Sequence, residues 1–301
     1  MLAEHPPSLR NPSLWGLDNE LYIGPPWEVL DLPPLGLLLP ESLRAYRSEE
    51  TVGLLADRDT PQPEQARTFL QALMQKKPQW EAWVADLPRS TWMPLSLVTE
   101  WGWGTRRRGL VEKPEQVPGL LPLFESVCGP LGGESLGWQA WPAFQAVQVF
   151  AIPQPLHQAL TQDTTLGPLY NASVLWTAFW QQRIATSDAK KLHVAMLSGP
   201  RDVSIWVMEP QKLWHHGRYL VNHSHDLLFH LLRQKEKHGA KILHGPRPLT
   251  KDPEVNAALE DAFEQILPLD FQGQGQGIPN LALTRLECLQ EGLRIWQAAC
   301  E

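Results

Sequence analysis

Cysteine is scarce in this chain. Cys128, Cys288 and Cys300 are widely spaced, with no CxxC pair. That removes a cysteine zinc site and a disulfide framework, and the odd count fits a reducing compartment. Long apolar runs are missing too. The longest uncharged stretch, around Leu166 to Trp180, is broken by Pro168, Asn171 and Ser173, and it falls short of the roughly 18 residues of a membrane span. The opening MLAEHPPSLRNPSLWG lacks a basic stretch followed by an apolar one, so no secretory leader is expected. The reading is cytoplasmic, with no membrane partner.

Several signature motifs are also absent. Gly129, Gly132 and Gly133 do not form GxGxxG, and the chain contains no GxxxxGK[ST], GxSxG or HExxH. A phosphate loop, a nucleophile elbow and a zincin helix are therefore not indicated. The net charge of -7 rules out a protein that coats nucleic acid with its whole surface, though not one with a local basic site.

What is abundant is tryptophan and proline, 14 and 28 of 301 residues. Large rigid aromatics dominate cores and interfaces alike. The apolar setting of Trp176, Trp180 and Trp206 predicts core positions. The Pro- and Gly-flanked Trp15, Trp27, Trp101 and Trp103 are the candidates for exposure.

The fold class read from these patterns is α+β and predominantly helical. It has a Pro-rich N-terminal wrapping segment over residues 1 to 40, a central β-hairpin at about 192–208 flanked by helices, and a C-terminal helix. Within the N-terminal segment, short strands are expected at 20–23 and 27–31. Helical spacing predicts helices over 63–76 and again from Pro78 through Trp80, Trp83, Val84 and Leu87. One strand-rich stretch is expected over 138–152. Further helices are expected at 166–184, at 226–238 closed by Gly239, at 253–267 and at 280–299. The break at Cys128-Gly-Pro-Leu-Gly-Gly-Glu-Ser135 divides the chain into a Pro/Trp-rich helical lobe, 1–130, and an α+β lobe, 136–301. A single compact domain is the alternative. No internal repeat is visible.

Charge is segregated. Residues 189–251 hold eleven Lys or Arg against four Asp or Glu, and residues 252–301 hold two against nine. Seven of the ten histidines lie between His215 and His244. Either the acidic C-terminal segment offsets the basic one within the molecule, or the basic segment presents a face to an anionic partner.

Three candidate sites follow. In the first, His223-Ser-His225 with Asp226, His216 and His230 supplies imidazole and carboxylate ligands of the types that hold a divalent metal. In the second, Arg233-Gln-Lys-Glu-Lys-His238 is an R-x4-H pattern similar to that of HEPN ribonucleases. In that chemistry an arginine stabilises phosphorane charge and a histidine moves a proton. A chain this rich in arginine and histidine is expected to contain such a match by chance. Lys237 lies with Arg233 on the exposed side of the same helix. The third is Arg106-Arg107-Arg108 beside Trp101 and Trp103, cations and stacking rings suited to phosphates, bases or an acidic protein surface.

The expected function is a non-catalytic adaptor or subunit of a larger cytosolic assembly. It would bind a protein partner, or a nucleic acid or other anionic ligand, through its basic, His-rich face. The alternative is a metal-dependent hydrolase or nuclease centred on residues 215–238. No cofactor is expected beyond a divalent metal at the histidine set.

Overall fold

Strands such as His193–Ser198 and Asp202–Glu209 are buried along almost their whole length. That is the pattern of a sheet covered on both faces. The architecture comes from a computed structural model. It describes residues 13–17, 20–24, 28–29, 83–87, 89–96, 120–132, 134–153, 169–186, 191–198, 202–269 and 280–300.

The first sheet contains β1 (Ser13–Leu17), β2 (Glu20–Gly24), β3 (Glu28–Val29), β4 (Trp83–Ala85) and β8 (Leu169–Asn171) in the order β3-β2-β1-β4-β8. The β1–β2 and β2–β3 pairs are antiparallel, whereas β1–β4 and β4–β8 are parallel. The second sheet contains β9 (His193–Ser198), β10 (Asp202–Glu209), β11 (Lys212–Leu220), β12 (Ile242–Pro246) and β13 (Gln265–Leu269) in the order β11-β10-β9-β12-β13. Its pairings repeat those of the first: β9–β10 and β10–β11 antiparallel, β9–β12 and β12–β13 parallel. The molecule is therefore built twice on one plan, a duplication that leaves no trace in the residues.

Between β4 and β8 lies a smaller antiparallel sheet, β5 (Ser90–Pro94), β7 (Ala146–Pro153) and β6 (Glu134–Trp141) in that spatial order, with helix α1 (Leu120–Cys128). Met93, Leu120, Phe124, Leu136, Val147 and Val149 form its core. Arg89 ties it together. Its guanidinium donates to the carbonyls of Cys128, Gly129 and Pro130, where α1 runs out of internal donors, and pairs with Glu134.

Helix α2 (Ala172–Ala185) follows β8, and helix α5 (Asn280–Cys300) follows β13. Asn171 caps α2 by accepting from the Ser173 N–H. In the second half, α3 (Ser224–His238) and α4 (Pro253–Ala262) make the crossovers β11–β12 and β12–β13. Gly239 closes α3 at φ 73°, a left-handed cap that glycine adopts without a Cβ penalty. Asp252 caps α4 ahead of Pro253 by accepting from the Glu254 and Val255 N–H groups.

Residues 172–180 of α2 are buried on every side. Trp176 and Trp180 pack against Trp206 of β10, and the Trp206 indole donates to Thr177 Oγ1 at 2.9 Å. All three tryptophans are core, as their setting predicted. One apolar cluster runs from Val84 of β4 through α2 and α5 to Ala195, Leu197, Trp206 and Met208, so both large sheets share it. At the α2–α5 crossing Gly292 lies so close to α2 that a Cβ there would sit 2.1 Å from the Leu175 carbonyl oxygen.

Several expectations are corrected. The chain is a mixed α/β protein with thirteen strands in three sheets and five α-helices among the described residues, not predominantly helical. The N-terminal segment is not a wrapping strap, because β1 is the central strand of a sheet. Residues 83–85 are a strand, although Trp80, Trp83, Val84 and Leu87 have helical spacing. The expected strand at 138–152 is two strands, and the helix begun at Pro253 stops at Ala262 to give β13. Parallel strands pair with partners remote in sequence, so no local turn signal announces them. The helix expected at 63–76 lies outside the described residues. Among those residues no helix is long and apolar enough to cross a membrane.

The crossing at Gly292 allows no side chain. Gly292→Ala should destabilise the protein by about 3 kcal/mol through a clash with backbone, and Trp176→Ala by about 3–5 kcal/mol through a cavity. Denaturant midpoints measure both. A wild-type midpoint for Gly292→Ala would show that the helices are not packed at this distance.

Candidate functional site

Strand β11 is an edge strand whose period of two separates its polar residues. His215 and Tyr219 point towards α3, and His216 and Arg218 point to the opposite face. Gly217 lies between the first pair, and a Cβ on it would be 2.6 Å from Tyr219 Oη and 2.9 Å from His215 Nε2. Its missing side chain lets the two rings meet, with His215 Nε2 and Tyr219 Oη 2.6 Å apart. Gln234 of α3 donates to the same hydroxyl at 3.0 Å.

Two more rings extend this pair. His238 stacks on His215 with centroids 6.0 Å apart, and His230 stacks on Tyr219 at 4.4 Å. Burial, then the charges of His238, Lys237 and Arg233, push the His215 imidazole down to about 4. Every charged group acting on it is cationic. Burial raises the Tyr219 hydroxyl, with Arg233 opposing.

On the other face of β11, His216 lies against Trp206 with centroids 4.9 Å apart. Burial and the neighbouring His215 and Arg218 lower it to about 3. Arg218 joins the two halves of the molecule. It donates through Nε to Asp202 at 2.9 Å and through Nη1 to Asp86, just beyond β4, at 2.7 Å. Burial pulls this guanidinium down, but Asp86 and Asp202 outweigh it and hold it above the ordinary arginine value.

A buried histidine pair lies where α2 meets the second sheet. His193 Nδ1 and His244 Nε2 are 2.9 Å apart, and the His244 ring meets Trp180 edge-on. One ring must donate and the other accept, so the pair forms only with an accepting nitrogen unprotonated. Burial, His193 and Arg183 lower His244 to about 3.

The proposed metal ligands do not converge. His223 precedes α3, and Asp226 accepts from the backbone N–H groups of Asn222 and His223 at 2.9 and 3.0 Å, which lowers its carboxyl. His225 is exposed, His216 is on the far face of β11, and His230 is stacked on Tyr219. Among the described residues no three of His, Cys, Asp and Glu are grouped to hold a metal ion. Arg233, Lys237 and His238 do share one neighbourhood, with His215. Trp101, Trp103, Arg106, Arg107 and Arg108 lie outside the described residues.

The charge segregation resolves into two parts. Lys191 and Lys241 pair with Glu264, so some of the basic segment is offset by the acidic one. Arg233 and Lys237, both exposed, make no ion pair among the described residues.

No protein-family model matches the chain, and no curated protein matches it. Solved structures do. A protein of unknown function from Bacteroides thetaiotaomicron with an actin-like ATPase fold aligns at a TM-score of 0.54 and 12% identity, over 85% of this chain and 88% of that one. A PilM-PilN type IV pilus biogenesis complex aligns at 0.48 and 13%, over 98% and 100%. An exopolyphosphatase from Cytophaga hutchinsonii aligns at 0.27 and 8%, over 78% and 65%. The first likeness shows the fold alone, an actin-like ATPase fold.

Acid should destabilise the protein. Neutral His216, half-buried against Trp206, and neutral, buried His244 have folded pKa values below the unfolded 6.5, so the unfolded state binds more protons below that pH. Stability is then complete above pH 6.5 and falls towards pH 4, by about 1.4 kcal/mol per pH unit for each such histidine. Urea midpoints across this range should decline, and less steeply in His244→Asn. A flat profile would mean that neither histidine is held neutral.

Proposed function

We propose that this protein is a non-catalytic adaptor, a subunit of a larger cytosolic assembly, built on an actin-like scaffold. It engages its partner through the basic, ring-lined face of β11 and α3. The observation that carries this reading is the Asp86–Arg218–Asp202 triad.

An ATPase fold implies a magnesium nucleotide, and the residues can be tested for fit. In open sheets with parallel strands, ligands settle beyond the carboxyl ends of the strands, where the chain order reverses. Asp86 lies at the carboxyl end of β4, next to central β1, and Asp202 lies at the equivalent end of the second sheet, where β10 leaves β9. Magnesium is held by one or two carboxylates together with phosphates and water. Here both carboxylates are already engaged by a guanidinium, largely buried at 15% side-chain exposure. β1 and β2 pair up to Leu17↔Glu20, so only two residues connect them. A connection that short offers no glycine-rich cradle of N–H groups for a phosphate. These residues do not fit a magnesium nucleotide.

Isothermal titration with ATP and magnesium should give no saturable heat, and phosphate release should stay at the buffer rate. Saturable, magnesium-dependent binding would overturn the non-catalytic reading. Arg218→Ala strands two carboxylates in a largely buried setting and should cost about 3–5 kcal/mol of stability, read from the shift in the urea midpoint. A loss below about 1 kcal/mol would show that the triad is solvated like a surface pair.

A further inference from the structure

The N-terminus of α3 is occupied with capping, whereas Arg233 and Lys237 further along its outer face make no ion pair among the described residues. His225, Phe229, Arg233 and Lys237 are spaced by four and exposed, so they form one stripe along the helix. Phe229 is 59% exposed, the second-highest exposure among the large exposed apolar side chains described. An aromatic ring standing in water beside two cations is a costly surface unless something covers it.

The electrostatics point the same way. Of the carboxylates on α3, Asp226 is used at the N-terminus, which leaves Glu236 alone among Arg233, Lys235 and Lys237. Behind the stripe, the His238–His215–Tyr219–His230 ring column gives a firm aromatic floor and contributes no carboxylate. Lys191 and Lys241, by contrast, have found Glu264. Among the described residues, other parts of the basic segment are paired, whereas Arg233 and Lys237 make no ion pair.

We infer that the outer face of α3 is the docking surface for an acidic segment of a partner protein, one that sets an apolar side chain on Phe229 and carboxylates on Arg233 and Lys237. The inference rests on the adaptor reading and supplies its partner's chemistry. A protein segment is favoured over nucleic acid because the exposed ring at the head of the stripe offers a hydrophobic anchor. Aromatic and arginine side chains together are the usual composition of a protein hot spot. Phosphate-backbone binding would need only the cations.

The probe is a fluorescein-labelled peptide of alternating glutamate and leucine, followed by fluorescence polarisation on the full chain. The same peptide with glutamine for glutamate and a labelled oligouridine serve as comparisons. The acidic peptide should bind, and added salt should weaken it. Reversing both cations, Arg233→Glu with Lys237→Glu, should reduce binding by at least about tenfold, and Phe229→Ser by about tenfold. Arg233→Lys should stay within about threefold of wild type, because a charge at this exposed position matters more than its fork geometry. All these positions are exposed, so melting temperatures should remain within a few degrees of wild type. The surface is refuted if the acidic peptide does not bind, if the charge-reversed protein binds it equally well, or if oligouridine binds more tightly. MgATP titration of the same samples separates the two ideas. Failure of the peptide with no nucleotide binding removes the docking surface alone, whereas nucleotide binding removes the adaptor reading even if the peptide binds.

Discussion

Everything else in this molecule depends on how closely α2 and α5 approach. Each of these helices ends one copy of the duplicated sheet plan, and they cross where Gly292 meets the Leu175 carbonyl. A larger residue at 292 would hold the helices apart and draw Trp176 and Trp180 away from Trp206. The glycine therefore decides whether the two halves share one core or keep two. The tryptophan excess is explained partly here. Indoles fill the irregular space between a sheet and a helix whose first nine residues are buried all round, where a smaller side chain would leave voids.

Arg218 has the same unifying role in polar form. It reaches from an edge strand of the second sheet to a carboxylate at the end of a strand of the first, 132 residues away. Ligands of open sheets settle beyond the carboxyl ends of the parallel strands, and carboxylates there can hold a cation. Here a side chain of the protein itself is the cation. It matches both carboxylates, so that neither is left as an unpaired buried charge.

Local features were legible in the sequence, and long-range ones were not. Gly239 marked the end of a helix, the segment 192–208 was visible as a hairpin, and the 280–299 spacing gave the last helix. The setting of Trp176, Trp180 and Trp206 announced the core. Strand β11 was the decisive omission. Its Trp-His-His-Gly-Arg-Tyr run is too polar to resemble a strand, so the histidines were grouped as metal ligands along the chain. Read at a period of two, the same residues separate into His215 and Tyr219 on one face and His216 and Arg218 on the other. That alternation was the available signal for the ring column. The Asp86–Arg218 contact and the His193–His244 pair had no such signal, because the first crosses between the two large sheets and the second depends on the parallel pairing of remote strands β9 and β12.

The unbroken apolar cluster between the sheets also has a mechanical consequence. Two lobes joined by a thin, polar hinge can open and close around a ligand at little cost. Here any such opening would pull Trp206 and Met208 off α2 and expose indole surface to water, and it would tear Arg218 from Asp86 in the same movement. The shared core and the Arg218–Asp86 pair therefore both oppose separation of the halves. A segment held on the outer face of α3 would be carried at a fixed orientation to anything gripped by the rest of the chain, and strain applied at one end would reach the other without being absorbed between them.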